Sequence, residues 1–127
     1  MIYEISGKSL KNNENSNMKT IHKDNYIILK PEKENISEFI KLISKNHSDF
    51  NKENVVIELT KYSTLSLQEL FLFLKISNLH RSHKKSFVMV NDSIDLEEIP
   101  EELILAPTLP EAGDIIGMEE LERELGF

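Results

Sequence analysis

The sequence predicts a single α/β domain in which a mixed β-sheet with parallel inner strands packs against about four helices. Short β-prone runs alternate with amphipathic helical stretches after an opening hairpin, which is typical of this class. The runs at 55–59 and 86–90 are almost continuously apolar, as expected of strands covered on both faces. The segments between these runs are long enough to form helical crossovers between parallel strands.

The first half of the chain predicts a hairpin followed by a helix. Residues 19–22 and 26–29 are β-prone runs separated by a polar turn, and Pro31 ends the second run. Either Asn35 or Ser37 is expected to cap the helix that follows. The inward positions of that helix recur at helical spacing and are Ile36, Phe39, Ile40 and Ile43.

The second half continues the alternation of strands and helices. A helix is expected over about 66–83, a strand over 86–90, and a last strand over 103–106. Residues 95–103 are acidic and contain Pro100, which predicts a short helix or a loop. The final helix is expected over 111–125, and its predicted inward residues are Ile115, Ile116, Leu121 and Leu125.

Composition limits the classes of function. The 127 residues suffice for one domain, and a formal net charge of -7 argues against a nucleic-acid partner. No apolar run is long enough to cross a bilayer, no secretory signal is visible, and the absence of cysteine suits the cytoplasm. The asparagine-rich segment 1–17 is interpreted as an N-terminal extension, either flexible or adding an edge strand, before a domain at 18–127.

No motif indicates an enzyme, a metal site or a cofactor. His80 and His83 lie three residues apart at a helix end, but the surrounding cations would repel a divalent metal and instead complement the helix dipole. His22 and His47 fall in other elements. A small hydrolase or metal enzyme is therefore the least supported alternative. To call this protein a ribonuclease Z would be an error, because the His-x-His-x-Asp-His run of that enzyme is absent.

The start of the central helix carries the pattern of a capping box. In the run from Ser66 to Glu69, the serine oxygen can accept from the backbone N–H of Glu69, and the glutamate can reach back to Ser66. We therefore expect Ser66 to have a structural role at the helix N-terminus. A phosphate on Ser66 would meet a favourable helix dipole but also the carboxylate of Glu69.

The central helix is unusually apolar and predicts two stripes. The stripe expected to cover the sheet comprises Leu67, Leu70, Phe71 and Leu74. The second stripe comprises Leu72, Ile76 and Leu79, with Phe73 adding bulk between the two. Two alternatives stay open at this point: neighbouring helices bury the second stripe, or part of it is exposed as a docking surface or homodimer face.

Four runs of sequence, at 55–60, 66–70, 86–91 and 107–112, together resemble the STAS domain over about 18–127. The best-known members are bacterial anti-sigma factor antagonists, in which the turn before the second helix reads Asp-Ser-Ser-Gly-Leu and its first serine is phosphorylated. Aligning Leu70 with the leucine of that motif places Ser66 at the aspartate and Leu67 at the phosphorylated serine. A slip of one residue would instead place Ser66 at the acceptor position.

The resemblance implies a non-enzymatic regulatory module that binds another protein, either an anti-sigma factor or a related partner-switch regulator, or a second copy of itself. The expected partner surface comprises Tyr62, Ser63, Thr64, Ser66, Leu67, Leu72, Phe73 and Ile76. The alternative is a phosphoacceptor antagonist that is switched at Ser66, Ser63 or Thr64. No nucleic acid, membrane or cofactor is expected to take part.

Overall fold

The computed structural model describes residues 18–32, 35–62, 64–93 and 99–126. Its strands are β1 (Met18–His22), β2 (Ile27–Pro31), β3 (Val55–Glu58), β4 (Phe87–Val90) and β5 (Ile104–Ala106). Its helices are α1 (Ile36–Lys45), α2 (His47–Phe50), α3 (Leu67–Arg81) and α4 (Leu109–Glu124). Among the described residues, no helix has the length and apolar character needed to span a bilayer.

The five strands form one mixed sheet in the order β1-β2-β3-β4-β5. The β1–β2 hairpin is antiparallel, with Thr20 opposite Leu29. The pairs β2–β3, β3–β4 and β4–β5 are parallel, and Val56 in the middle of the sheet lies between Ile28 and Val88. The predicted α/β class with parallel inner strands is therefore confirmed.

Alternation along the strands divides the core between the two faces of the sheet. On one face, α1, α2 and α3 cover a cluster that includes Ile57, Phe73 and Met89. On the other face, α4 packs through Ala112 and Ile116 against a smaller cluster. The helices are thus distributed unequally, three on one side of the sheet and one on the other.

Side-chain caps define where three of the helices begin. Asn35, one of the two predicted caps, accepts a hydrogen bond from the backbone N–H of Glu38 at 3.1 Å and starts α1. Ser66 starts α3. Thr108 accepts from the backbone N–H of Glu111 at 3.3 Å, so α4 begins two residues earlier than predicted and includes Pro110 in its first turn.

A polar network joins α3 and α4 to the edge of the sheet where β3 and β4 start. The buried Asn54 amide donates to Glu120 at 2.6 Å and accepts from the backbone N–H of Ser86 at 2.8 Å. Glu119 accepts from the Ser86 hydroxyl at 2.5 Å and from Arg81 at 3.2 Å. These bonds fix the C-terminal half of α4 against the sheet.

Several sequence-based expectations about helices were wrong. The helix α2 was not predicted, because it is only four residues long. In α4, Ile116 is buried and Ile115 is half-buried, but Leu121 and Leu125 are exposed. Those two leucines lie about 140° and 180° around the helix from Ile116, so they face away from the sheet. Pro100 lies in a turn, and residues 94–98 of the acidic segment lie outside the described residues.

Candidate protein-binding site

The turn between β3 and α3 is anchored at its start to the neighbouring strand. The buried Leu59 donates its backbone N–H to the carbonyl of Val90 at 2.9 Å, which continues the parallel β3–β4 pairing beyond Glu58. The backbone N–H of Tyr62 then donates to the carbonyl of Leu59 at 3.0 Å and reverses the chain. Tyr62 itself is half-buried and packs against the core.

Asn91 holds this turn in place from the end of β4. Its side-chain amide donates to the carbonyls of Leu59 and Tyr62, both at 2.8 Å, and its side chain is almost fully buried. Its backbone N–H donates to the carbonyl of Ala106 at 3.1 Å, and its side-chain oxygen accepts from the backbone N–H of Ser93 at 2.6 Å. Asn91 therefore connects the turn to the ends of two strands, a role that the sequence did not reveal.

Ser66 and Glu69 form the predicted capping box. The Ser66 hydroxyl oxygen accepts from the backbone N–H of Glu69 at 3.0 Å, and a Glu69 carboxylate oxygen accepts from the backbone N–H of Ser66 at 2.9 Å. This prediction is confirmed. The serine oxygen is thus engaged in starting α3, although the residue remains exposed to solvent.

An exposed surface extends from the turn along the outer side of α3. Thr64 and Ser66 are exposed, and Leu67, the first residue of the helix, has 57% of its surface accessible. One turn further on, Phe71 is 50% and Leu72 is 37% accessible. Ser63 lies outside the described residues. We refer to Thr64, Ser66, Leu67, Phe71 and Leu72 as the turn–helix surface.

Two residues of the predicted partner surface lie in the core instead. Phe73 is completely buried and Ile76 is almost completely buried, so neither side chain can contact a partner. In the second predicted stripe, Ile76 is buried whereas Leu72 and Leu79 are exposed, so that stripe is partly buried and partly exposed. The buried arc of α3 is wide because the helix packs against α1 as well as against the sheet. Phe71, which was predicted to face the sheet, points outward.

A cavity of about 280 Å³ lies beside the turn, at the edge of the sheet where β2 and β3 end. It is lined by Lys30, Pro31, Glu58, Thr60 and Lys61. The Glu58 side chain is largely buried and accepts from the Thr60 hydroxyl, and the Lys30 ammonium lies 3.4 Å from it. Parallel register places Lys30 beside Glu58, and Lys61, which lines the same cavity, is exposed.

Two histidines that the sequence assigned to separate elements meet in the core. His47 on α2 and His80 on α3 are both buried, with 2.9 Å between Nε2 of His47 and Nδ1 of His80. Nε2 of His80 lies 2.7 Å from the carbonyl oxygen of Glu53. A carbonyl can only accept, so this nitrogen carries the proton, and Nδ1 of His80 accepts from His47.

The environment lowers the pKa values of both histidines. Burial, and to a smaller extent the neighbouring His47, His83 and Arg81, lower the pKa of His80 to about 4, although the hydrogen bond to the Glu53 carbonyl acts in the opposite direction. Burial, together with the charge of His83, also lowers the pKa of His47. Over the described ranges, no group of three or more histidine, cysteine or carboxylate side chains is arranged to hold a metal ion.

The exposed groups of the site are suited to contact with another protein. The turn–helix surface combines apolar side chains with hydroxyl groups on a turn that is fixed from behind by Asn91. Apolar side chains clustered at a surface with a polar margin are typical of protein–protein contacts.

Comparison with solved structures identifies the architecture. The chain matches the structure of RsbS S58E from Moorella thermoacetica, a STAS-domain anti-sigma factor antagonist, with a TM-score of 0.62. The match covers 84% of this chain and 97% of that chain, at 16% sequence identity. The fold is STAS-like. Neither a protein-family model nor a curated protein sequence matches the chain.

The STAS-like fold confirms the resemblance that the sequence suggested. The turn between β3 and α3 is part of this fold. At this identity the similarity shows the fold alone. The roles of Ser66, Thr64 and Leu67 in this chain therefore have to be argued from their own geometry.

Proposed function

We propose that this protein is a non-catalytic regulatory module of the bacterial cytoplasm that binds another protein through the turn–helix surface. The partner that the STAS-like fold favours is an anti-sigma factor or a related partner-switch regulator. The observation that carries the proposal is the exposure of Leu67, Phe71 and Leu72 next to a turn that is rigidly held.

The energetics of exposure support a binding role for this surface. Leu67 and Phe71 are each at least half accessible, so they contribute little to folding. Covering apolar area by a partner is worth about 25 cal/mol per Å² before the costs of association are subtracted. A turn that is already fixed by Asn91 loses little conformational entropy on binding, which favours affinity.

The geometry at the helix start favours a constitutive binder over a phosphorylated switch. In the resemblance, Leu67 stands where antagonists carry the phosphorylated serine, and a leucine has no hydroxyl to modify. The neighbouring Ser66 oxygen is used in the capping box. A phosphate on Ser66 would lie close to the Glu69 carboxylate, which opposes the gain from the helix N-terminus.

The phosphoacceptor alternative retains one favourable observation. Ser66 and Thr64 are both exposed, so a kinase could reach either hydroxyl. Intact-mass measurement of the protein isolated from its native cell separates the two proposals. We expect the mass of the unmodified chain, whereas a stoichiometric addition of one phosphate would favour the alternative.

The binding proposal is tested by co-purification from native lysate, with bound proteins identified by mass spectrometry. We expect a specific partner to be retained by the wild-type protein and lost with Leu67→Glu, because the apolar contact is replaced by a charge. A glutamate in the first turn of a helix complements the dipole, so folding is expected to be unaffected.

Leu79→Glu is the matched control, since Leu79 is similarly exposed but lies near the C-terminal end of α3, outside the turn–helix surface. It should retain the partner. An identical set of bound proteins for the wild type and for Leu67→Glu would contradict the proposal. A homodimer formed through this surface would be recognised by a molecular mass in solution that falls to that of the monomer with Leu67→Glu.

A further inference from the structure

The outer side of α4 carries an apolar row that nothing in the described residues covers. Met118, Leu121 and Leu125 have 65%, 56% and 63% of their surface accessible. Their spacing of three and four residues places them within an arc of about 60° on the helix. This arc is centred opposite the side that packs on the sheet through Ala112 and Ile116. We call these three residues the α4 row.

Acidic side chains surround the α4 row. The helix contains six acidic residues and one arginine. Glu119 and Glu120 point inward and bind Arg81 and Asn54, but Asp114 and Glu122 are exposed one turn before and one turn after Met118. Within the described parts of the chain, neither Asp114 nor Glu122 has an ion-pair partner.

We propose that the α4 row is a second docking surface and that its occupant is a basic amphipathic helix of a partner protein. Such a helix presents an apolar stripe to Met118, Leu121 and Leu125 and places lysine or arginine side chains beside Asp114 and Glu122. Charge complementarity of this kind accelerates association and selects partners. Laying an apolar helix face along another helix is a common mode of peptide recognition.

The charge around the row disfavours the other candidate occupants. A second copy that docked through its own α4 row would place acidic residues opposite acidic residues, at a cost in free energy. An anionic membrane surface would repel the same side chains. The α4 row also lies on the opposite side of the sheet from the turn–helix surface. The two surfaces therefore can be occupied together, and the protein would connect two partners.

The test uses the full chain and two synthetic peptides of about 18 residues, each designed as an amphipathic helix with leucines along one side. One peptide carries lysines on its remaining positions and the other carries glutamates. Fluorescence anisotropy at moderate salt measures their affinities. We expect the lysine peptide to bind at least about tenfold more tightly, because only it complements the acidic margin.

Two pairs of variants separate specific docking from general attraction to an acidic protein. We expect the double variant Met118→Ser/Leu121→Ser to bind the lysine peptide about tenfold more weakly. The double variant Phe71→Ser/Leu79→Ser on α3 should keep the wild-type affinity for this peptide. The double variant Asp114→Lys/Glu122→Lys should weaken binding of the lysine peptide by a similar factor. Its control, Asp24→Lys/Asp92→Lys, changes the net charge equally at other exposed positions and should change the affinity less than twofold.

Three outcomes would overturn the proposal. They are equal binding of the two peptides, equal losses for the α4 and α3 variant pairs, and a dimer in solution that Leu121→Ser dissociates. The last outcome would identify a second copy of the chain as the occupant. Because the turn–helix surface is unchanged in the α4 variants, failure of this test leaves the proposed function standing. Conversely, retention of the partner by Leu67→Glu would contradict the proposed function without bearing on the α4 row.

Discussion

At the scale of single residues, Asn91 determines the shape of the candidate site. Two backbone carbonyls of the turn, at Leu59 and Tyr62, accept hydrogen bonds from its buried amide. Buried carbonyls that lose such donors are costly, because no water replaces the missing bonds. The conformation of the exposed turn therefore depends on a side chain that no partner can touch.

We expect Asn91→Ala to lower the free energy of unfolding by about 2–3 kcal/mol, since it removes two hydrogen bonds and leaves their acceptors unsatisfied. Urea denaturation followed by circular dichroism measures the change. Asp92→Ala, at the exposed neighbouring position, serves as the control and should change stability by less than about 0.5 kcal/mol. Equal stability of the two variants would show that the amide of Asn91 does not hold the turn.

The sequence revealed the local part of the site but not its distant contacts. The capping box was predicted because its two residues are three positions apart, and local geometry alone determines whether they meet. Asn91 bonds to residues 29 and 32 positions away, and His47 contacts His80 across 33 positions. No periodicity connects residues at such separations, so these contacts emerge only once the sheet order is known.

At the scale of elements, α4 illustrates why strands were predicted more accurately than helix faces. The buried strands are apolar at nearly every position and therefore need no assignment of a face. In α4, apolar residues occur on both the packed and the outer sides, and the prediction grouped Leu121 with Ile116 although the helical period places them about 140° apart. The same difficulty affected α3, where Phe73 rather than Phe71 is buried.

Two glycines in α4 give an element-scale prediction. Gly117 has open space where a Cβ would lie, so Gly117→Ala should stabilise the protein by about 0.5–1 kcal/mol through helix propensity alone. A Cβ on Gly113 would lie 3.3 Å from the Tyr26 hydroxyl oxygen, so Gly113→Ala should gain less or destabilise. Thermal unfolding of both variants measures the difference.

The cause of that difference is tested in a second background. Because Tyr26→Phe removes the crowded oxygen, Gly113→Ala should recover part of the helix-propensity gain there. Identical effects of the alanine substitution at 113 and 117 in the wild-type protein would indicate that Tyr26 does not need the space that Gly113 provides.

At the scale of the whole molecule, the buried histidines couple stability to pH. The pKa of His80 is about 4 in the folded protein and about 6.5 in an unfolded chain. Between these values the unfolded state binds more protons, so stability is fully retained above about pH 6.5 and declines as the pH falls toward 4. Protonated His80 would also place two donors, its own Nδ1–H and the Nε2–H of His47, against each other.

We expect the free energy of unfolding to fall by about 2 kcal/mol between pH 7.5 and pH 5, as measured by urea denaturation at each pH. His80→Gln should flatten this dependence, because glutamine does not titrate, and His22→Gln, at an exposed position, should retain it. A wild-type stability that is constant over this range would contradict the assignment of His80 as a buried neutral histidine.

The two edges of the parallel sheet differ in how their polar groups are used. Where β3 and β4 start, Asn54, Ser86 and the glutamates of α4 satisfy one another and tie the helices down. Where β3 ends, Thr64 faces solvent, and Ser66 is exposed although its hydroxyl oxygen caps α3. New binding specificities could accordingly be engineered by exchanging exposed residues such as Thr64, provided that Ser66 is kept as the cap of α3 and Asn91 as the anchor of the turn.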